Sequence, residues 1–137
     1  MYKVLLVDDE YMITEGLKRL IPFEKWDMEV VATANHADEA LDYVREHPVD
    51  IVISDVNMPD KTGLEMIQEM KNILPDSYYI LLSGYQEFDY VKKAMNLSVV
   101  DYLVKPVDKV ELGNLLEKIA TQLGEKIEEP LILSQKL

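Results

Sequence analysis

The sequence predicts an α/β domain built on a doubly wound, five-stranded parallel sheet. Two observations carry this. Five short, nearly continuous apolar runs alternate with stretches whose apolar residues recur at helical spacing. Runs without polar alternation belong to strands buried on both faces, the situation produced by βαβ crossovers with helices on either side. At 137 residues and 48% hydrophobic content the chain can bury one substantial core, and it contains no internal repeat.

Taken in order, Lys3 to Val7 reads as a first strand, ended by Asp8-Asp9-Glu10. A helix follows with Ile13, Leu17, Leu20 and Ile21 on one face, stopping before Pro22. Pro22 to Asp27 is a longer connection that holds Trp26, placed to cover one end of the core. Glu29 to Ala34 is the second strand, and Asn35 is positioned to cap a helix with Ala37, Ala40, Leu41 and Val44 inward. Ile51-Val52-Ile53 forms the third strand, with Asp55 where the apolar run ends. Thr62-x-x-Glu65 is a capping box opening a helix whose face is Leu64, Ile67, Met70 and Leu74. Tyr78 to Leu82 is the fourth strand, ended by Ser83-Gly84, and a weaker helix spans roughly 87 to 96. Val99 to Val104 is the fifth strand, ended by Lys105-Pro106. Asp108-x-x-Glu111 caps a last helix carrying Leu112, Leu115, Leu116, Ile119 and Leu123. The pattern fades from Gly124, so the expected division is a domain over 1–123 and a tail or linker stub over 124–137.

Charge and composition exclude several classes. The net charge of −12 leaves too few cations to neutralise phosphates, so direct nucleic-acid binding by this domain is not expected. With no cysteine there are no disulfides, thiol nucleophiles or thiolate metal sites. No stretch has the length of a membrane span and no signal segment is seen, so a cytoplasmic location is expected.

The strand ends carry the chemistry. In a parallel sheet all carboxyl ends lie on one edge, where open α/β sheets bind ligands. Asp8, Asp9, Asp55, Ser83 and Lys105 therefore converge from four strands. Crowded carboxylates raise one another's pKa unless a cation sits among them. A hard divalent ion, Mg²⁺, suits an all-oxygen donor set, whereas zinc lacks its usual ligands here. An Asp carboxylate can also attack phosphorus to give an aspartyl phosphate, a reaction that needs cations and hydroxyls around the phosphoryl oxygens. The plainer readings are Asp8 and Asp9 as helix caps, Asp55 and Lys105 as solvated loop charges, and Tyr102 as core.

Val7-Asp8-Asp9-Glu10, Asp55-Val56-Asn57-Met58-Pro59 with Gly63, Leu82-Ser83-Gly84 and Asp101-Tyr102-Leu103-Val104-Lys105-Pro106 together resemble the motifs of a response-regulator receiver domain of two-component signalling. The resemblance implies a flavodoxin-like fold with strand order 2-1-3-4-5. It implies Asp55 as phosphoacceptor, and Mg²⁺ held by Asp8, Asp9, Asp55 and the main-chain carbonyl of Asn57. It further implies that Ser83 and Lys105 contact the phosphoryl group, that Tyr102 switches between rotamers, and that the Lys105-Pro106 bond is cis. Asn57 and Tyr85, each two residues beyond a site residue, are expected to tune dephosphorylation. Gly84 to Tyr90 and the Pro22-to-Asp27 insertion are similar to receivers of YesN-like regulators, which usually continue into an AraC-type DNA-binding domain absent from this chain. Implied partners are a sensor histidine kinase and a second copy through the fourth and fifth predicted helices. Membrane association is not implied.

Three other functions compete. A Mg²⁺-dependent phosphohydrolase would want an acid/base carboxylate two residues after Asp55, where Asn57 stands. A flavin-binding relative would want a phosphate-cradling loop where Asp8-Asp9-Glu10 repels phosphate. A pure interaction module would need none of the convergent set.

Overall fold

The structure is a computed structural model that describes residues 1–84 and 100–136. The predicted helix over 87–96, the motif from Tyr85 to Tyr90 and the first residue of the predicted fifth strand lie outside the described residues. The strands are β1 (Tyr2–Val7), β2 (Met28–Ala34), β3 (Ile51–Asp55), β4 (Tyr78–Ser83) and β5 (Val100–Val104). They form one parallel sheet in the order β2-β1-β3-β4-β5. The helices are α1 (Tyr11–Leu20), α2 (Ala37–Glu46), α3 (Gly63–Ile73) and a C-terminal helix (Lys109–Lys136).

Side-chain alternation along the strands sorts the core into two layers. Leu5, Val7, Val52, Tyr79 and Leu81 pack with Ala40, Leu41 and Val44 of α2 and Leu64, Ile67 and Met70 of α3. Val4, Leu6, Ile51, Ile53, Ile80 and Leu82 pack on the other side with Leu17 of α1 and Leu112, Leu116 and Ile119 of the C-terminal helix. Both faces of the central strands are thus dry, which explains their uninterrupted apolar sequence. Trp26, in a 3₁₀ turn over Phe23–Trp26, packs against the second layer, and its ring abuts the space above Gly113.

Local signals explain most boundaries. The Thr62 side chain accepts from the Glu65 amide while Glu65 reaches back to the Thr62 amide, closing the predicted capping box. Asp108 accepts from the amides of Val110 and Glu111 and opens the C-terminal helix. Three expectations need correction. The α2 cap is His36, whose Nδ1 accepts from the Glu39 amide, while the Asn35 amide donates to the Glu39 side chain. Leu20 is 63% exposed although its spacing places it with Leu17, because α1 ends there and only Ile21 turns back into the core. The C-terminal helix does not stop at Gly124 but continues to Lys136 and includes Pro130. Among the described side chains of that helix, Leu112, Leu116, Ile119 and Leu123 pack against the core.

Candidate functional site: an acidic, lysine-paired cluster at the carboxyl edge of the sheet

Register determines what meets what. Val7 pairs with Ser54, so Asp8 falls level with Asp55 on neighbouring strands. Asp55 pairs with Leu82 and Ser83 with Val104, which places Ser83 and Lys105 just beyond on the adjacent pair. Main-chain bonds continue the ladder past the strands. The Asp8 amide donates to the Ala34 carbonyl, the Val56 amide to the Leu82 carbonyl, and the Lys105 amide to the Ser83 carbonyl at 2.7 Å. The site therefore rests on rigid sheet, as a site needing ångström placement should.

Asp8, Asp9 and Asp55 each offer a carboxylate oxygen within 4.8 Å of the others. Asp8 and Asp55 are buried and Asp9 is exposed. The Lys105 ammonium reaches Asp55 Oδ1 at 3.0 Å and Asp8 Oδ2 at 3.3 Å. The Glu10 amide donates to Asp8 Oδ1 at 2.9 Å, and the Asn57 amide donates to the Asp55 carboxylate. Burial pushes the Asp8 carboxyl above its ordinary pKa, with the Asp55 charge adding to the shift against the Glu10 amide and Lys105. Burial likewise raises Asp55, with Asp9 adding to it, in spite of Lys105 and the Asn57 amide. At Lys105 burial works against the ammonium, but the two carboxylates outweigh it and its pKa is raised. One ammonium does not neutralise three carboxylates, so the cluster has residual demand for positive charge.

The oxygen-only donor set fits a hard divalent ion. Octahedral Mg²⁺ spans about 4.2 Å between opposite ligand oxygens, so the 4.8 Å spread is within reach of small side-chain rotations. Ser83 is fully buried, and its hydroxyl has no hydrogen-bond partner among the described residues. A buried hydroxyl normally has a partner, so it stands ready for a polar group entering the site. The Lys105-Pro106 bond is cis, as the resemblance implies. Tyr102 of β5, paired with Leu81 of β4, is half-buried against the α2/α3 layer. The Asn57 side chain is exposed, and Tyr85 lies outside the described residues.

The fold gives Gly63, already part of the motif around Asp55, its steric role, and it adds an apolar cleft beside Lys105. Gly63 opens α3 against the third strand; an added Cβ would overlap the Asp55 carbonyl oxygen and come within 3.1 Å of Ser54 Oγ. Its role is room beside Asp55, and only the fold reveals that. An apolar cleft of about 510 Å³ adjoins Lys105, lined by Met12, Ile13, Leu17, Leu20, Pro106 and Val107. Its one sequence signal is an excess of apolar residues on α1, including Met12, which is 78% exposed.

Fold and site together define a flavodoxin-like α/β domain whose carboxyl edge carries an acidic cluster paired to a lysine. Residues 4–117 match the response regulator receiver domain, and the chain belongs to that family. A response regulatory protein of Staphylococcus epidermidis is 39% identical over 126 residues, which are 92% of this chain and 49% of that protein. The transcriptional regulatory protein HptR of Staphylococcus aureus is 36% identical over the same length and share. The chain thus spans about half the length of the curated relatives it matches. Among solved structures, the receiver domain of AraT, a response regulator from Geobacillus stearothermophilus, superposes with a TM-score of 0.85 at 38% identity, covering 91% of this chain and 97% of that one. A two-component transcriptional regulator AraC from Clostridium phytofermentans gives 0.82 at 27% identity, covering 89% and 97%. No helix among the described residues is long and apolar enough to cross a membrane.

Proposed function

We propose that Asp55 is the phosphoacceptor of a Mg²⁺-dependent switch and that a sensor histidine kinase is its donor. The observation that carries this is the paired arrangement of Asp55 and Lys105, 3.0 Å apart beside Asp8 and Asp9. A carboxylate oxygen of Asp55 forms the new O–P bond as the N–P bond of a phosphohistidine breaks, and the electron pair stays with the imidazole nitrogen, which takes up a proton. Lys105 offsets charge on the phosphoryl oxygens, and the Ser83 hydroxyl is available to donate to one of them. Asp8, Asp9, Asp55 and the Asn57 carbonyl would hold Mg²⁺, which when bound supplies further positive charge to those oxygens. The cleft of Met12, Leu20 and Pro106 beside Lys105 offers an approaching kinase an apolar footing next to Asp55.

The added charge then acts as the signal. Ser83 is drawn towards it, Tyr102 follows from its half-buried position, and the surface beyond β5 changes shape. Asn57 and Tyr85 tune dephosphorylation, Tyr85 by covering the phosphoryl group against water. The receiver occupies residues 1–123, and 124–137 lead towards an output domain, a DNA-binding one by analogy with the regulators above. Cytoplasmic location and a homodimer through the fourth and fifth predicted helices belong to the same reading. The test is intact mass after incubation with a small acyl-phosphate donor, with Mg²⁺ or a chelator. One added phosphoryl group on wild type in Mg²⁺, and none on Asp55→Ala, is expected; equal incorporation by both proteins defeats the assignment.

A further inference from the structure

The segment joining β3 to α3 is held firmly on its inner side. Val56 and Met58 are buried in the core, and the Gly63 amide donates to the Val56 carbonyl at 2.8 Å, closing the loop at its base. Its outer half is different. Asn57, Pro59 and Asp60 are exposed, and Asp60 sits at φ 68°. The Lys61 amide donates to the Pro59 carbonyl at 2.8 Å across it. A three-residue turn with a non-glycine centre at positive φ is a γ-turn of the strained kind, and such strain persists only where the surroundings over-determine it.

What over-determines it is the next side chain. The Lys61 ammonium lies 2.5 Å from Glu69 of α3 and 3.3 Å from Asp38 of α2, and only 28% of its side chain is exposed. An ordinary surface ion pair contributes little, and each carboxylate here is partly solvated. This ammonium differs in joining two separate helices to a strained turn, four residues from Asn57.

We propose that Lys61 is a positioning residue of the acidic site: by tying the strained turn at Asp60 to α2 and α3, it presets the exposed half of the β3–α3 segment that carries Asn57 beside Asp55. This rests on the reading that the segment and the three aspartates hold Mg²⁺. Charge alone makes the opposite prediction. Removing a cation near an acidic cluster should tighten Mg²⁺ binding, whereas loss of a positioning contact should weaken it.

The experiment measures Mg²⁺ affinity by calorimetry on the full chain, wild type against Lys61→Met, Lys61→Arg and Arg45→Met. The last breaks an exposed ion pair with Asp42 within α2 and controls for surface charge. Lys61→Met is expected to bind Mg²⁺ about three- to tenfold more weakly, less than a directly hydrogen-bonded ligand support would cost. Lys61→Arg should return to within about twofold of wild type, because it keeps the charge and the reach. Metal-free hydrogen exchange should quicken at residues 57–61 in Lys61→Met but not in Arg45→Met. Unchanged or tighter Mg²⁺ binding by Lys61→Met overturns the proposal, as does equal weakening by Arg45→Met. Wild type that binds Mg²⁺ but accepts no phosphoryl group defeats the phosphoacceptor reading, and the affinity ratio still judges Lys61. Wild type that binds no Mg²⁺ overturns both.

Discussion

Gly63→Ala sets two magnitudes against each other. Gly63 is the first residue of α3 and its φ is not positive, so backbone conformation alone would admit alanine. Helix propensity favours that change by about 0.5–1 kcal/mol. Sterics oppose it. The new methyl would overlap the Asp55 carbonyl oxygen and sit 3.0 Å from its carbon, and this neighbour is buried main chain at the end of a central strand. Overpacking a close-packed site costs about 1–3 kcal/mol, and a backbone neighbour that cannot swing aside puts Gly63 at the upper end. The net expectation is a loss of about 2 kcal/mol in urea unfolding, a fall in Tm of roughly 6–10 °C for a domain of this size. Gly16 is the control: it lies inside α1 with nothing within 4 Å of an added Cβ, so Gly16→Ala should gain about 0.5–1 kcal/mol. Because the clash falls on Asp55, Gly63→Ala should also take up phosphoryl groups more slowly. A Gly63→Ala protein as stable as wild type would refute the steric argument.

Further expectations concern charge, packing and lifetime. The folded-state pKa values of Asp8 and Asp55 are raised by burial, so each carboxylate costs stability above its unfolded pKa of about 3.9, and that cost is complete once pH exceeds the raised value. In chelator, Asp8→Asn should therefore be more stable than wild type at pH 7, with the gain vanishing as pH falls through the raised value towards the unfolded pKa of about 3.9. Urea midpoints across that range check the sign, and saturating Mg²⁺ should reverse the order of the two proteins. Tyr79 donates its hydroxyl to the Leu74 carbonyl at 2.6 Å, and burial pushes its pKa up to about 12. Tyr79→Phe should cost about 1–2 kcal/mol in thermal unfolding and leave Mg²⁺ affinity unchanged. Tyr85→Ala should shorten the acyl-phosphate lifetime; an unaltered decay rate followed by intact mass would remove Tyr85 from the account.

The sequence was informative where a signal is local or periodic. Buried runs such as Ile51-Val52-Ile53 cannot hide, Thr62-x-x-Glu65 is a cap whatever its surroundings, and the parallel class sends Asp8, Asp55, Ser83 and Lys105 to one edge. Spacing alone misjudged Leu20, because periodicity places residues on a face but does not say where the core stops. The apolar pattern of the last helix fades from Gly124, while the helical backbone continues to Lys136. The His36 cap displaced Asn35 by one residue, the ordinary uncertainty of a helix boundary. Gly63 stood in the motif around Asp55 without a physical role, and Lys61 carried no signal at all, for a different cause. Their meaning lies in what the fold sets beside them, the Asp55 carbonyl for one and the carboxylates of two helices for the other.

The proposed switch requires that phosphorus bond to the carboxylate of Asp55. Borohydride reduces an acyl phosphate to an alcohol, so treating the phosphorylated protein and mapping its peptides by mass records which aspartate carried the group. Homoserine at position 55 with Asp8 and Asp9 intact, in Mg²⁺ only, is the expected result. Reduction at Asp8 or Asp9 instead, or a label that resists borohydride, would contradict it.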